Sequence, residues 1–274
     1  MRDRMIPFFM PYCTINNTIL HYESIRVTES ASEKVILLFL HEALGSIPQW
    51  KSFPKDLCSA LKLDGIVYER QGHGQSSPLE EERKADYLHR YAYEELRAFI
   101  QEVFSPDHKL ILVGHSDGGS IALLYASKFP EQVAALVTIA AHVINEPQTI
   151  TGIAPAVLAF EQGKLARLND FHREKTDALF FAWANTWKSD EFRNWDICKD
   201  IGNINFPVLV MQGEKDQYGT KRQMELIQEN VQTPCDLILI ENAGHLPHLE
   251  QKQNVLQVIE NWIKTHTHRN NLYI

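Results

Sequence analysis

No two of the four cysteines form a CxxC pair. Cys13, Cys58, Cys198 and Cys235 stand far apart, a spacing that excludes a zinc ribbon and gives no disulfide framework. Buried, reduced thiols are the expectation. The chain has no HExxH and no paired His/Asp cluster, so nothing asks for a metal ion, and a cofactor-independent protein is expected. Lys and Arg are scattered. With a net charge of −8, the clustered basic surface that nucleic-acid backbones require is missing. No stretch approaches the ~18 continuous apolar residues of a membrane helix. The opening Met1-Arg2-Asp3-Arg4-Met5, followed by Ile6-Pro7-Phe8-Phe9-Met10-Pro11, mimics a signal peptide only faintly. Two prolines break its apolar run, and no clear small-residue cleavage site follows. The expectation left by these absences is a soluble, cytoplasmic protein, monomer or homodimer, acting on a small-molecule substrate with no nucleic-acid or membrane partner.

What is present supports a large single-sheet protein. The 274 residues are 44% hydrophobic and 23% charged, enough apolar side chain to bury a sizeable core. The first elements read as an antiparallel hairpin. Thr14-Ile15 and Thr18-Ile19-Leu20 flank Asn16-Asn17, a pair that tolerates the positive φ of a tight turn. Strand and helix patterns then alternate. Segments 35–40, 66–68, 110–113 and 133–141 are apolar runs of the kind buried on both faces of a parallel sheet, and 50–61, 87–104 and 121–128 read as helices. From 143 to about 203 the rhythm fails, with apolar and aromatic residues at helix-like spacing and no strand between them. Strands return at 208–211 and 237–240, and an amphipathic helix covers 255–263. A βαβα core with one helical insertion accounts for the pattern. The insertion is expected over the carboxyl edge of the sheet, where such sheets bind ligands.

Gly114-His115-Ser116-Asp117-Gly118-Gly119 lies directly between a strand and a helix, the context that makes G-x-S-x-G a nucleophile elbow rather than a glycine-rich turn. Glycine on either side lets strand and helix approach without Cβ clashes while the serine takes a strained turn. Its hydroxyl then projects at the amino end of a helix, where aligned N–H groups favour negative charge. Ser116 is the candidate nucleophile. A hydroxyl of ordinary acidity needs a base, and the base an orienting acid. Among twelve histidines, His245 in Ala243-Gly244-His245 follows the last strand and is the leading base, with His248 its rival. Asp216 in Gly213-Glu214-Lys215-Asp216 follows the preceding strand and is the leading acid. Glu214 stands closer to the strand end and competes.

These residues carry a family resemblance. Glu69-Arg70-Gln71-Gly72-His73-Gly74-Gln75-Ser76 resembles the Arg- and Gly-rich loop after the fourth strand of the α/β-hydrolase superfamily. His41-Glu42-Ala43-Leu44-Gly45-Ser46 resembles its oxyanion loop after the third. With the elbow, Asp216 and Gly244-His245, the landmarks occur in that superfamily's order, Ser then Asp then His, and cover 39–248. The resemblance implies an α/β fold of the α/β-hydrolase type: an eight-stranded, mostly parallel sheet flanked by helices. The core is expected over 1–142 and 204–274, with a helical cap (lid) inserted at 143–203. It also implies an oxyanion hole from the backbone N–H groups of Ala43 and Asp117, worth several kcal/mol of barrier, about 3–4 for a single donor. Glu42 departs from the pattern, standing where the superfamily usually has glycine, although a bacterial hydrolase subgroup has a similar His-Glu-x-Leu-Gly-Ser stretch. His41 and Arg70 are read as structural.

The function implied is a carboxylesterase-like serine hydrolase that cleaves a small ester, thioester, lactone or activated amide through an acyl-enzyme. The superfamily also contains lyases, peroxidases and receptors. A carbon–carbon bond hydrolase, a cofactor-free peroxidase and a non-catalytic ligand-binding receptor retaining the triad are the alternatives. Asp117 has two side-chain readings: it caps the helix electrostatically, or it pairs with a cationic substrate group, since the elbow resembles that of hydrolases acting on amino-acid esters. The insertion supplies Phe160, Phe180, Phe181, Trp183, Trp187 and Trp195. Most are expected in its own core and a few along an apolar substrate pocket. His142, Trp183 and Trp187 are the candidate pocket residues beside Asp117.

Overall fold

The computed structural model describes residues 11–269; the segment that mimics a signal peptide lies, except for Pro11, outside the described residues. The strands are β1 (Tyr12–Ile15), β2 (Thr18–Ile25), β3 (Ser32–Leu40), β4 (Leu63–Tyr68), β5 (Lys109–His115), β6 (Val133–Ile139), β7 (Val208–Gly213) and β8 (Cys235–Ile240). They form one eight-stranded sheet in the order β1-β2-β4-β3-β5-β6-β7-β8. β1 and β2 are antiparallel, as are β2 and β4; every later pairing is parallel. At the first turn Ile15 pairs with Thr18, and Asn16 and Asn17 take φ of 47° and 70°, the two left-handed residues of a type I′ hairpin.

The period-two side-chain alternation of a strand divides the core in two. Along β3, Ile36, Leu38 and Leu40 join one cluster with Leu96, Phe99 and Ile121. Val35, Leu37 and Phe39 join the other, with Leu57, Val255 and Ile259. A strand buried on both faces is apolar along most of its length, which is why β3, β5 and β6 read as continuous runs rather than as alternating ones. No helix among the described residues is long and apolar enough to cross a membrane. All four cysteines are free, with Cys13 half-buried and the others buried.

Several element ends differ from the sequence expectation for identifiable reasons. The helix expected over 50–61 is a 3₁₀ turn, Ile47–Trp50, and a separate helix, Phe53–Leu61. Pro54 lacks the N–H that would bond the Trp50 carbonyl, so it is tolerated only in a first turn, where it stands. The helix expected over 87–104 is continuous in place but holds a π-helical stretch at Tyr91–Leu96. β6 stops at Ile139 because Ala140 takes φ 51°. The helix Lys221–Asn230 has no counterpart in the sequence reading. Its buried residues are only Gln223, Met224 and Ile227, too sparse a stripe to stand out by periodicity. Between β6 and β7 lie the helices Pro147–Glu161, Leu168–His172 and Thr176–Lys188.

Candidate active site

Parallel strands end at the same edge of the sheet, and Ser116, Asp216 and His245 all follow strand ends. Ser116 comes directly after β5 and caps the helix Asp117–Lys128 with φ 52°, ψ −121°, a conformation that costs a non-glycine residue about 1–3 kcal/mol. The flanking glycines are sterically required. A Cβ on Gly118 would meet the Leu40 carbonyl oxygen at 2.0 Å, and one on Gly114 the Gly118 oxygen at 2.4 Å. The Ser116 N–H is anchored on the Ile139 carbonyl at 2.9 Å.

Asp216 lies in the loop after β7 and His245 in the loop after β8. The Ser116 hydroxyl is 3.0 Å from His245 Nε2. His245 Nδ1 is 2.9 Å from Asp216 Oδ2 and 3.0 Å from Oδ1. All three residues are buried. Burial alone would raise the Asp216 carboxyl, but His245 and the Tyr218 N–H, donating at 2.8 Å, hold it below the usual carboxylate range. Burial likewise opposes protonation of His245, and the Asp216 charge and hydrogen bond outweigh it, with Glu42 and Asp117 adding to the effect. The imidazole therefore sits above its ordinary range. Behind it, His115 Nε2 donates to the His245 carbonyl at 2.8 Å.

The rivals stand elsewhere. Glu214 is exposed and accepts from the Asn242 N–H. His248 packs on Trp50, Phe53 and His115, where burial and then the neighbouring His245 push it down to about 3.

The loop after β3 is tied by its carbonyls. Arg70 donates to the His41 and Glu42 oxygens, and its own N–H donates to His41 Nε2 at 3.1 Å. His41 and Arg70 are both about 1% exposed, so breaking this network leaves buried polar groups unpaired, each costing about 1–3 kcal/mol. Among the described residues neither the Ala43 nor the Asp117 N–H donates to another protein group, and both residues line one cavity with Ser116 and His245. The Asp117 side chain accepts from the Tyr87 hydroxyl at 2.8 Å.

That cavity is about 280 Å³, at the small end of ligand pockets. Trp183, Trp187, Leu165 and Leu168 contribute apolar wall. His142 also lines it and donates from Nε2 to the Tyr218 carbonyl at 3.2 Å. The other aromatics expected from the insertion do not line it. Phe160 stacks on Phe180 with centroids 3.9 Å apart, Phe181 is 37% exposed, and Trp195 stacks on Phe192. Glu42 and Asp117 are among the residues that line it, and no Lys or Arg does. Burial, aided by nearby Asp117, raises the Glu42 carboxyl against the Leu44 N–H that bonds it.

The sequence pattern described as "Alpha/beta hydrolase family" matches residues 37–258, well over half of the chain. The chain belongs to the alpha/beta hydrolase family. A proline iminopeptidase of Saccharolobus solfataricus is 24% identical over 283 residues, covering 89% of this chain and 88% of its own. A cis-3-alkyl-4-alkyloxetan-2-one decarboxylase of Shewanella oneidensis is 27% identical over 254 residues, covering 79% and 76%. Among solved structures, MGS-M2, an alpha/beta hydrolase enzyme from a Medee basin deep-sea metagenome library, superposes with a TM-score of 0.73 at 19% identity, covering 92% of this chain and 97% of that one. The named relatives are enzymes, and this chain is an enzyme of the same fold.

Sequence reasoning did not single out several residues that hold this alpha/beta hydrolase's site together. Glu69, noted only as part of a motif, accepts from the Ile47 and Gln75 N–H groups at 2.9 and 2.7 Å and meets His21 Nδ1 at 2.9 Å. Tyr87 links Trp187 Nε1 to Asp117. Tyr218 was findable, being in the Asp216 loop. Tyr87 carries no sequence signal, because its partners are distant along the chain.

Proposed function

We infer that this alpha/beta hydrolase is a serine hydrolase that cleaves a small carboxylic ester, thioester, lactone or activated amide through an acyl-enzyme. The observation that carries the reading is the continuous hydrogen-bonded line Ser116–His245–Asp216 at a cavity wall. In this mechanism His245 Nε2 takes the Ser116 proton as Oγ attacks the carbonyl carbon. Asp216 holds the Nδ1–H tautomer and stabilises the imidazolium. The developing oxyanion is received by the Ala43 and Asp117 N–H groups, each worth about 3–4 kcal/mol of barrier. His245 then protonates the leaving group, and a water activated by the same imidazole releases the acyl chain. The helices of 143–203 act as a cap over a core of 1–142 and 204–274, excluding water from the cavity they help to line. A fluorophosphonate probe is expected to label the protein at Ser116, and a graded p-nitrophenyl ester series to show turnover concentrated in short acyl chains. Failure of the probe to react with the wild-type protein would falsify the reading.

Because His245 must be neutral to accept the proton, and its pKa is raised, activity is lost as pH falls through that raised value. The acid limb of kcat/KM is therefore expected above the ordinary imidazole value of about 6.5. A pH–rate profile checks this; an acid limb below that ordinary value contradicts it.

A cationic substrate group fits the same site. Two acidic residues, Glu42 and Asp117, line the cavity with no lysine or arginine, and one Asp117 oxygen is already engaged by Tyr87. A charge-assisted hydrogen bond of about 1.5–3 kcal/mol corresponds to roughly 10- to 150-fold. Alanine p-nitrophenyl ester should exceed p-nitrophenyl propionate by that order in kcat/KM, and Glu42→Gln or Asp117→Asn should erode the preference. Equal rates for the two esters would remove amine recognition while leaving esterase chemistry intact.

A further inference from the structure

Four successive carbonyls of the loop after β3 each face a side-chain nitrogen from outside it. Arg70 takes those of His41 and Glu42. His73 Nε2 lies 3.0 Å from that of Ala43. The fourth, that of Leu44, accepts from His172 Nε2 at 2.9 Å. His172 is the outlier of the set. It is fully buried and comes not from the core but from the helix Leu168–His172, between β6 and β7. Its other nitrogen, Nδ1, accepts from the Gly74 N–H at 3.0 Å. A carbonyl on one side and an N–H on the other leave one consistent state, the neutral Nε2–H tautomer. Burial is the leading cause that lowers this imidazole below its ordinary pKa and so favours the neutral form. Nearby, Lys175 Nζ donates to the carbonyls of His73, Gly74 and Ser76, fastening the same segment to the glycine-rich loop that presents His73.

We propose that His172 is a positioning residue for the oxyanion loop. By holding the Leu44 carbonyl and bracing Gly74 at the same time, it restrains the two peptide planes that follow Ala43 and so helps to keep the Ala43 N–H facing the cavity. Successive peptide planes are stiff and share the Cα between them. The Leu44 carbonyl lies two planes beyond the one that carries the Ala43 N–H, whose own carbonyl, that of Glu42, Arg70 holds. Release of the Leu44 carbonyl therefore reaches the donor through the intervening Ala43–Leu44 plane. The segment that covers the cavity thereby completes the arrangement beneath it. An active site with the segment displaced keeps Ser116, His245 and Asp216 in contact yet loses one aligned donor.

This proposal rests on the serine-hydrolase reading, and the experiment separates the two. His172→Asn keeps an acceptor for the Gly74 N–H but is too short to reach Leu44; His172→Gln reaches with an amide N–H. Each variant and the wild type are assayed with p-nitrophenyl acetate and with phenylboronic acid, which forms a tetrahedral adduct on the serine. Misplacing one donor without removing it is expected to lower kcat of His172→Asn about 10- to 100-fold. KM should stay within about threefold, and phenylboronic acid should bind more weakly by a similar factor to the loss in kcat. The acid limb of the pH profile should be unmoved, since the Ser116–His245–Asp216 line is untouched, and His172→Gln should recover most of the loss. Unchanged kcat and boronate affinity in a folded His172→Asn overturn the proposal. So does a loss that His172→Gln fails to recover while its melting temperature matches the wild type. If His172→Asn does not fold, His172→Gln alone decides, and near-wild-type boronate affinity is required of it. A wild-type protein that fails to react with a fluorophosphonate overturns the underlying reading instead.

Discussion

Ser116→Ala is expected to lower turnover of a short p-nitrophenyl ester by roughly 10⁵–10⁶-fold, because in the proposed mechanism Ser116 supplies the nucleophile. The residual rate comes from the oxyanion donors and substrate positioning, which act on an attacking water without the serine. The fold should be unaffected. The Ser116 N–H bond to Ile139 involves only backbone, and alanine is no more strained at φ 52° than serine. A melting curve superposing on that of the wild type, with fluorophosphonate labelling abolished, is the expected pair of results. Retained turnover within about a hundredfold would mean that the nucleophile lies elsewhere.

The second large effect is that of Asp216→Asn, expected to lower kcat about 10⁴-fold with little change in KM. The wild-type carboxylate accepts from the Tyr218 N–H at Oδ1 and meets His245 Nδ1 through both oxygens. In the variant the amide oxygen goes to the Tyr218 N–H, which can only donate, and the amide NH₂ is left facing Nδ1. His245 then takes the Nε2–H tautomer and points a proton at the Ser116 hydroxyl, where an acceptor is needed. The charge that raises the imidazole pKa disappears as well. A pre-steady-state assay of acylation measures the loss, and a fall of less than about tenfold would assign Asp216 a structural role alone.

Much of the scaffold was legible because its determinants are local. Asn16-Asn17 admits the positive φ of the hairpin, and the apolar runs of β3, β5 and β6 are the mark of strands covered on both faces. The helix Lys221–Asn230 was not legible, since beside Met224 and Ile227 its inner face carries a buried glutamine, Gln223, satisfied by bonding to Ile144 and Glu146. The break between Trp50 and Phe53 was signalled by Pro54 and missed through the apolar spacing around it. In the site, Ser116 and His245 stood out as motif residues. Choosing Asp216 over Glu214 required only that the chain reach past the strand end, and the fold puts Asp216 against the imidazole and Glu214 at the surface.

By itself the sequence determined what depends on neighbours in the chain: the alternation of strands and helices, the glycines that let Ser116 sit in a strained turn, and the parallel-sheet topology that brings strand ends to one edge. Which side chains meet across that edge depends on how distant segments pack together. Tyr87 reaches Asp117, Arg70 holds the carbonyls of His41 and Glu42, and His172 bridges Gly74 and Leu44. A hydrogen bond acts over about 3 Å in space and is indifferent to separation along the chain, so contacts between residues far apart in sequence leave no periodic trace in the chain that encodes them.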